Sequence, residues 1–166
     1  MWNTIVKKGI NIKATTVTPW QNFTSEDTVV TFASSAKKIT IPFSDGYKTI
    51  MQYDEKTGKY IRYSKTVERK DYSTGESMYF KNLFVLNTTI RTYPNCTDGK
   101  NHREVTLTSG KGYYFVNGTY TPILWSKGAA SSPFKFTLTD GTPLNVNPGN
   151  SWVCISDANR SQPSVE

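Results

Sequence analysis

The block from Gly110 to Ile155 constrains the fold of this chain more than any other stretch. Runs rich in Tyr, Phe, Val, Ile and Thr follow one another there with a period of two, and Gly, Asn, Asp or Pro stands at each break. That alternation marks half-buried strands, because successive side chains of an extended backbone point to opposite faces. The sharpest break is Asn117-Gly118, since both residues tolerate the positive φ that a type I′ hairpin requires and both flanks are aromatic and alternating. Asp140-Gly141 is the next clearest. Few chemically reactive side chains occur in the block, so it says more about architecture than about chemistry.

The same period runs back to Thr28. It predicts strands over 28–33, 37–43, 47–53, 59–63, 77–80, 83–92, 103–108, 112–116, 119–124, 134–138 and 152–155, with turns at Ser44-Asp45-Gly46, Asp54 to Gly58, Ser73-Thr74-Gly75 and Asp98-Gly99. In the third of these, Tyr47, Met51 and Tyr53 share one face. The fold class is mainly β: an antiparallel β-sandwich or partly open barrel of about ten strands with a short N-terminal helix or irregular arm. Residues 1–27 read as a lead-in, helix-like at Trp2, Ile5 and Val6 with Gly9 as a stop, and as the tail of an upstream domain plus linker; residues 28–156 form the β domain and 157–166 a flexible tail.

At 166 residues the chain is long enough for a filled core without covalent staples. Its hydrophobic content is low at 36%, but the 13% aromatic residues place the shortfall in half-exposed sheets and not in disorder. No run approaches the ~20 apolar residues that cross a bilayer as a helix, and Met1-Trp2-Asn3-Thr4 lacks the layout of a signal peptide. A formal charge of +7 favours polyanionic neighbours: nucleic acid, anionic lipid or anionic wall polymer. Lys59, Arg62, Lys65, Arg69 and Lys70 have only Glu68 and Asp71 among them. The competing reading is a solvated surface that maintains solubility.

Chemistry is mostly excluded by residue type. A single histidine, His102, rules out a metal site that needs two imidazoles, and two dispersed cysteines, Cys96 and Cys154, rule out a thiolate cluster. The two thiols permit one disulfide without requiring it, and Cys154, inside Trp152-Val153-Cys154-Ile155, is most simply a small buried hydrophobe. Cys96 with His102 suggests a thiol and base pair, but both fall in one polar loop without an oxyanion site. No Gly-x-Ser-x-Gly elbow, phosphate loop, dinucleotide fingerprint or calcium loop is present. Paired carboxylates acting on a wall glycan would need two among Asp45, Asp54, Glu55, Asp71 and Asp140, yet turn aspartates usually bond their own backbone. No catalytic residue, metal or cofactor is assigned.

Binding chemistry is better represented. Tyr60, Tyr63, Tyr113, Tyr114 and Phe115 beside Arg62 and Lys111 could stack the bases of a single-stranded nucleic acid, if they share an open face. Trp125-Ser126-Lys127-Gly128 and the run Asn147 to Trp152 place a large aromatic against turn chemistry. Either they rim a ligand groove, with Trp125 or Trp152 as platform and Lys127 on an anion, or they plug the core at strand ends.

The run Gly110 to Gly128, then Ser132-Pro133-Phe134-Lys135-Phe136, Asp140-Gly141, Leu144 and Asn147 to Val153, resembles the C-terminal domain of the YerB-type lipoprotein family, a bacterial family of unknown function. Ile39 to Phe43, Tyr53 to Tyr63, Asp71, Thr74-Gly75-Glu76 and Asn82 to Val85 follow in the same order, so the likeness spans roughly 30–156. It departs from the family pattern at Glu68-Arg69-Lys70-Asp71, where a histidine often precedes the aspartate. The resemblance implies an extracytoplasmic protein of the cell envelope, lipid-anchored through a segment outside this chain, with an upstream domain and no established activity. Joined to the charge, it points to a non-catalytic interaction domain that holds an anionic wall polymer or an envelope protein. The candidate contact residues are Tyr60, Arg62, Lys70 and Asp71 on one side, and Trp125, Lys127, Asn147 and Trp152 on the other.

Overall fold

The computed structural model describes residues 21–25, 28–94, 97–98, 100–160 and 162–166. The helix-like opening expected near Trp2 and the loop thiol Cys96 lie outside them. Among the described residues the chain forms strands and no helix. In chain order the strands are β1 (Asn22–Phe23), β2 (Ser34–Ser35), β3 (Lys38–Pro42), β4 (Lys48–Asp54), β5 (Lys59–Ser64), β6 (Val67–Glu68), β7 (Tyr79–Phe80), β8 (Asn82–Thr88), β9 (Ile90–Thr92), β10 (Arg103–Val105), β11 (Ser109–Val116), β12 (Thr119–Lys127), β13 (Phe134–Leu138), β14 (Asn145–Val146), β15 (Ser151–Asp157) and β16 (Ser164–Val165).

They assemble into two principal sheets. The first runs β13-β12-β11-β8-β15, with β2 added to β12; the second runs β16-β3-β4-β5-β6, with β7 added to β5. Two short ribbons, β1 with β14 and β9 with β10, complete the set. The result is a sandwich without barrel closure. Most pairings are antiparallel, but β15 lies parallel to β8, with Ser151 opposite Asn82 and Asp157 opposite Thr88.

All seven residues of β8 are buried. A strand covered on both faces reads as continuous apolar text, and Leu83-Phe84-Val85-Leu86 is such a run. Leu83 and Val85 join Ile39, Ile41, Met51, Tyr60, Phe115 and Cys154 in a core between the two sheets. On the opposite face, Phe84 and Leu86 join Tyr114, Val116, Ile123, Trp125, Phe136, Leu144 and Val146. Val30 and Phe32 pack on this second core, so the first sheet lies inside a three-layer stack.

Asn117 and Gly118 turn β11 into β12 with φ of 49° and 69°, as a type I′ hairpin demands. A β-carbon at Gly118 would come within 2.9 Å of the Tyr53 ring, which adds a packing reason for glycine there.

The structure differs from the sequence reading at identifiable places. Residues 28–33 form no ladder, because side chains take their amides: the Val30 N–H donates to Asn147 Oδ1 at 3.1 Å and the Phe32 N–H to Thr119 Oγ1 at 3.0 Å. The run expected over 83–92 breaks into β8 and β9 at Thr89. Residues 157–166, expected as a loose tail, end in β16 on β3, with the Lys37 and Lys38 N–H groups both donating to the Glu166 carbonyl at 2.7 and 2.9 Å.

Candidate functional site

Asp54, Asp71, Asp98 and Asp140 are each engaged within their own turn. Asp54 accepts from the Thr57 hydroxyl at 2.8 Å and the Lys56 N–H at 3.0 Å, and Asp71 from the Ser73 and Thr74 N–H groups at 2.9 Å. Asp140 accepts from the Thr142 hydroxyl and N–H at 2.7 and 2.9 Å. Asp98 meets the His102 ring at 2.7 Å. These bonds favour the charged form and hold all four below the usual aspartate range: the Thr57 hydroxyl chiefly for Asp54, the Thr74 N–H for Asp71, the Thr142 hydroxyl for Asp140 and the His102 ring for Asp98. Asp45 stands fully exposed, 3.6 Å from Arg160. Among the described residues no three His, Cys, Asp or Glu side chains gather as a metal site would require.

Two phenols show the opposite shift. Tyr60 and Tyr114 are fully buried, and burial raises both well above the ordinary tyrosine value. The pH dependence of stability follows. The aspartates contribute stability that is present above their unfolded pKa and lost as pH falls through the lower folded values, so it declines below about pH 4. The phenols contribute stability that is present below their unfolded pKa and lost as pH rises beyond about 10. Urea midpoints measured across pH should therefore form a plateau with both flanks falling; a flat acid flank would refute the aspartate assignment.

The candidate contact residues separate into four groups. Tyr60, Trp125 and Asn147 are interior. The Tyr60 hydroxyl donates to the Ala36 carbonyl at 3.2 Å. The Trp125 indole N–H donates to the Lys111 and Asn87 carbonyls at 3.1 and 3.3 Å. The main chain of Asn147 is bonded to Asn82 and Tyr114, its carbonyl accepting from Asn82 Nδ2 at 2.9 Å and its N–H donating to Tyr114 Oη at 3.3 Å. Lys127 closes its own turn, donating to the carbonyls of Ala129, Ala130 and Ser132 at 3.0, 2.8 and 2.9 Å. Lys70 and Asp71 are exposed beyond β6, where Lys70 bridges to Ser77.

Arg62 and Trp152 are the pair that the fold brings together. Register places Arg62 opposite Met51, so its side chain points between the sheets, and its guanidinium carbon lies 4.8 Å from the centre of the Trp152 ring. Arg62 Nη2 donates to Tyr47 Oη at 3.2 Å, while Nε is buried without a hydrogen-bond partner. Trp152 also packs edge-on against Phe80, with ring centres 4.9 Å apart.

On the opposite face of β5 and β7 from this stack, Lys59 and Lys81 line a cleft of about 650 Å³ with Tyr79, Pro148, Gly149 and Asn150. Lys59 Nζ sits 3.8 Å from the Tyr79 ring centre. Asn150 holds the loop in place, accepting from the Lys81 N–H at 3.1 Å and donating to the Tyr79 carbonyl at 2.7 Å. Among the described residues, Lys59, Arg62, Lys65, Arg69, Lys70 and Lys81 enter no ion pair; the pairs formed use Lys37, Lys38, Arg91, His102, Arg103 and Arg160. The cleft therefore joins unpaired cations to aromatic faces.

Lys81, Tyr79 and Asn150 carried no signal in the sequence as a group, because they meet only through the parallel pairing of β15 with β8. The nucleic-acid arrangement does not come together, since Tyr60, Tyr114 and Phe115 are buried, and Arg62 and Lys111 belong to different sheets.

Similar proteins agree with this architecture. The crystal structure of YerB protein from Bacillus subtilis superposes with a TM-score of 0.71 at 20% identity, covering 99% of this chain and 52% of that one. The chain thus spans about half the length of that relative, and the likeness concerns the fold. No curated protein matches the chain. Residues 39–153 match the C-terminal domain of the proteins of unknown function DUF3048, a span that takes in most of both sheets and the cleft. The chain belongs to the DUF3048 family, as its C-terminal domain.

Proposed function

We propose that this domain is a non-catalytic binding module of the bacterial cell envelope, outside the membrane, and that it holds an anionic wall polymer. The observation that carries the reading is the cleft of Lys59, Lys81 and Tyr79, where cations lie without carboxylate partners. A polymer of repeating phosphates or carboxylates supplies the missing charge, and the aromatic faces accept the apolar side of a sugar or polyol. The engagement of Asp54, Asp71, Asp98 and Asp140 by their own loops supports binding in preference to acid–base chemistry.

Titration with purified wall teichoic acid tests the proposal, with peptidoglycan and anionic vesicles as comparisons. Affinity for the teichoic acid is expected to weaken as salt rises, because exposed charges are screened over about 8–10 Å. The double variant Lys59→Gln, Lys81→Gln is expected to bind about tenfold more weakly, a loss of roughly 1.4 kcal/mol, with its melting temperature unchanged. Absence of salt-sensitive association with the polymer would remove the reading.

A further inference from the structure

We infer that the outer edge of β15 is a docking edge for an extended peptide, which adds as a further strand to the first sheet. This goes beyond polymer binding and does not depend on it. The Asn82 N–H donates to the Asn150 carbonyl at 3.1 Å, and the Ala158 N–H donates to the Thr88 carbonyl at 2.7 Å. Successive peptide groups of a strand point alternately to its two sides, so these two bonds set the phase of everything between them. The main chains of Trp152, Cys154 and Ser156 face β8, and those of Ser151, Val153 and Ile155 face away.

β15 is a terminal strand of its sheet, and among the described residues no hydrogen bond reaches the N–H or carbonyl of Ser151, Val153 or Ile155. The outward carbonyl of Asp157 is already taken by the Arg160 N–H at 3.0 Å, which closes the edge at that end. Between Ser151 and Asp157 the edge has no charge and no proline. Soluble proteins usually guard such an edge with lysine, proline or a bulge, and this one is unguarded over three consecutive outward residues.

The surroundings specify the occupant. A cavity of about 390 Å³ lies at the C-terminal half of the edge, bounded by Phe43, Ile90, Val105 and Ile155 with Arg103 and Arg160 at its margin. It takes an apolar side chain. Toward the other end, Arg62 lies on Trp152 without an ion-pair partner, so an acidic side chain is matched there. The fitting partner is an extended peptide with an apolar residue and an acidic residue, bonded through its main chain as in β-strand addition.

Amide hydrogen exchange of the intact chain reads the edge residue by residue. In the free protein the amides of Val153 and Ile155 are expected to exchange at least about 100-fold faster than those of Trp152, Cys154 and Ser156, which the ladder protects. A synthetic heptapeptide alternating valine with threonine and carrying one terminal aspartate is expected to slow Val153 and Ile155 selectively. The same peptide N-methylated at alternate residues should bind at least about tenfold more weakly, because it lacks the donors. Val153→Pro removes one outward donor and is expected to weaken the peptide to a similar extent. Should that variant fail to fold, Val153→Lys places a guarding charge at the same half-exposed site. Equal protection of all five amides in the free monomer would overturn the proposal. So would equal binding of the methylated peptide, or protection that appears only when the chain self-associates.

Discussion

Replacing Trp125 with alanine is expected to cost about 3–5 kcal/mol of stability, a large share of the roughly 5–15 kcal/mol that holds a domain folded. Trp125 is 2% exposed and lies edge-on to Phe134. It also crosses the place where β8 and β11 part: their ladder runs from Val116 opposite Asn82 to Gly112 opposite Leu86 and stops. The indole N–H enters that gap and serves the Asn87 and Lys111 carbonyls together. Gly110 makes room for it, since a β-carbon there would sit 2.9 Å from the indole nitrogen and 2.3 Å from the Asn87 carbonyl oxygen. Alanine removes the packing and leaves both carbonyls without that donor. Phenylalanine restores most of the volume but no donor, and its cost should be about 1–3 kcal/mol. Urea unfolding with unchanged slope measures both. An alanine variant as stable as the parent would return Trp125 to the rim of a ligand site.

Phe84→Ala should be of similar size, about 3–5 kcal/mol, and is expected to lower the melting temperature by roughly 6 to 20 °C for a chain of this length. Phe84 is wholly buried between Tyr114 and Phe136, with ring centres 4.8 and 4.6 Å away and interplanar angles of 24° and 16°. This stack ties β8, β11 and β13 together on the face turned away from the second sheet. Deleting its middle ring opens a cavity that strands held on both sides by ladders cannot collapse to fill. Calorimetry of Phe84→Ala beside Val153→Ala, a half-exposed site on the same face, separates burial from strand propensity. Equal small losses at both positions would refute the idea that the arm over 28–32 closes a true core.

Much of the strand order was legible. The hairpins at Asn117-Gly118, at Ser44-Asp45-Gly46 and across Asp54 to Gly58 announce themselves through residues that tolerate the turn backbone, and the flanking runs alternate as half-buried strands do. The candidate site was legible only in fragments. Arg62 and Trp152 stand 90 positions apart in the sequence, and nothing local distinguishes them from an exposed cation and a core plug. Asn150 lay within the run Asn147 to Trp152 that the turn chemistry marked, but Lys81 gave no signal, because a loop held by side-chain amides leaves no period. Residues 28–33 read as a strand since Val and Phe alternate there, yet Asn147 and Thr119 supply the bonds that a neighbouring strand would have supplied.

By itself the sequence determined most of the segments that extend, where they reverse and which of their side chains share a face, because those properties depend on neighbours one to four residues apart. Tertiary structure alone decided which strand lies beside which. The parallel placement of β15 on β8, the second core under the N-terminal arm and the unpaired outer edge of β15 depend on burying both faces of one sheet at once. A period of two carries the face of a residue and no information about the identity of the strand across the ladder, so the cleft and the edge exist only once the sheets have assembled.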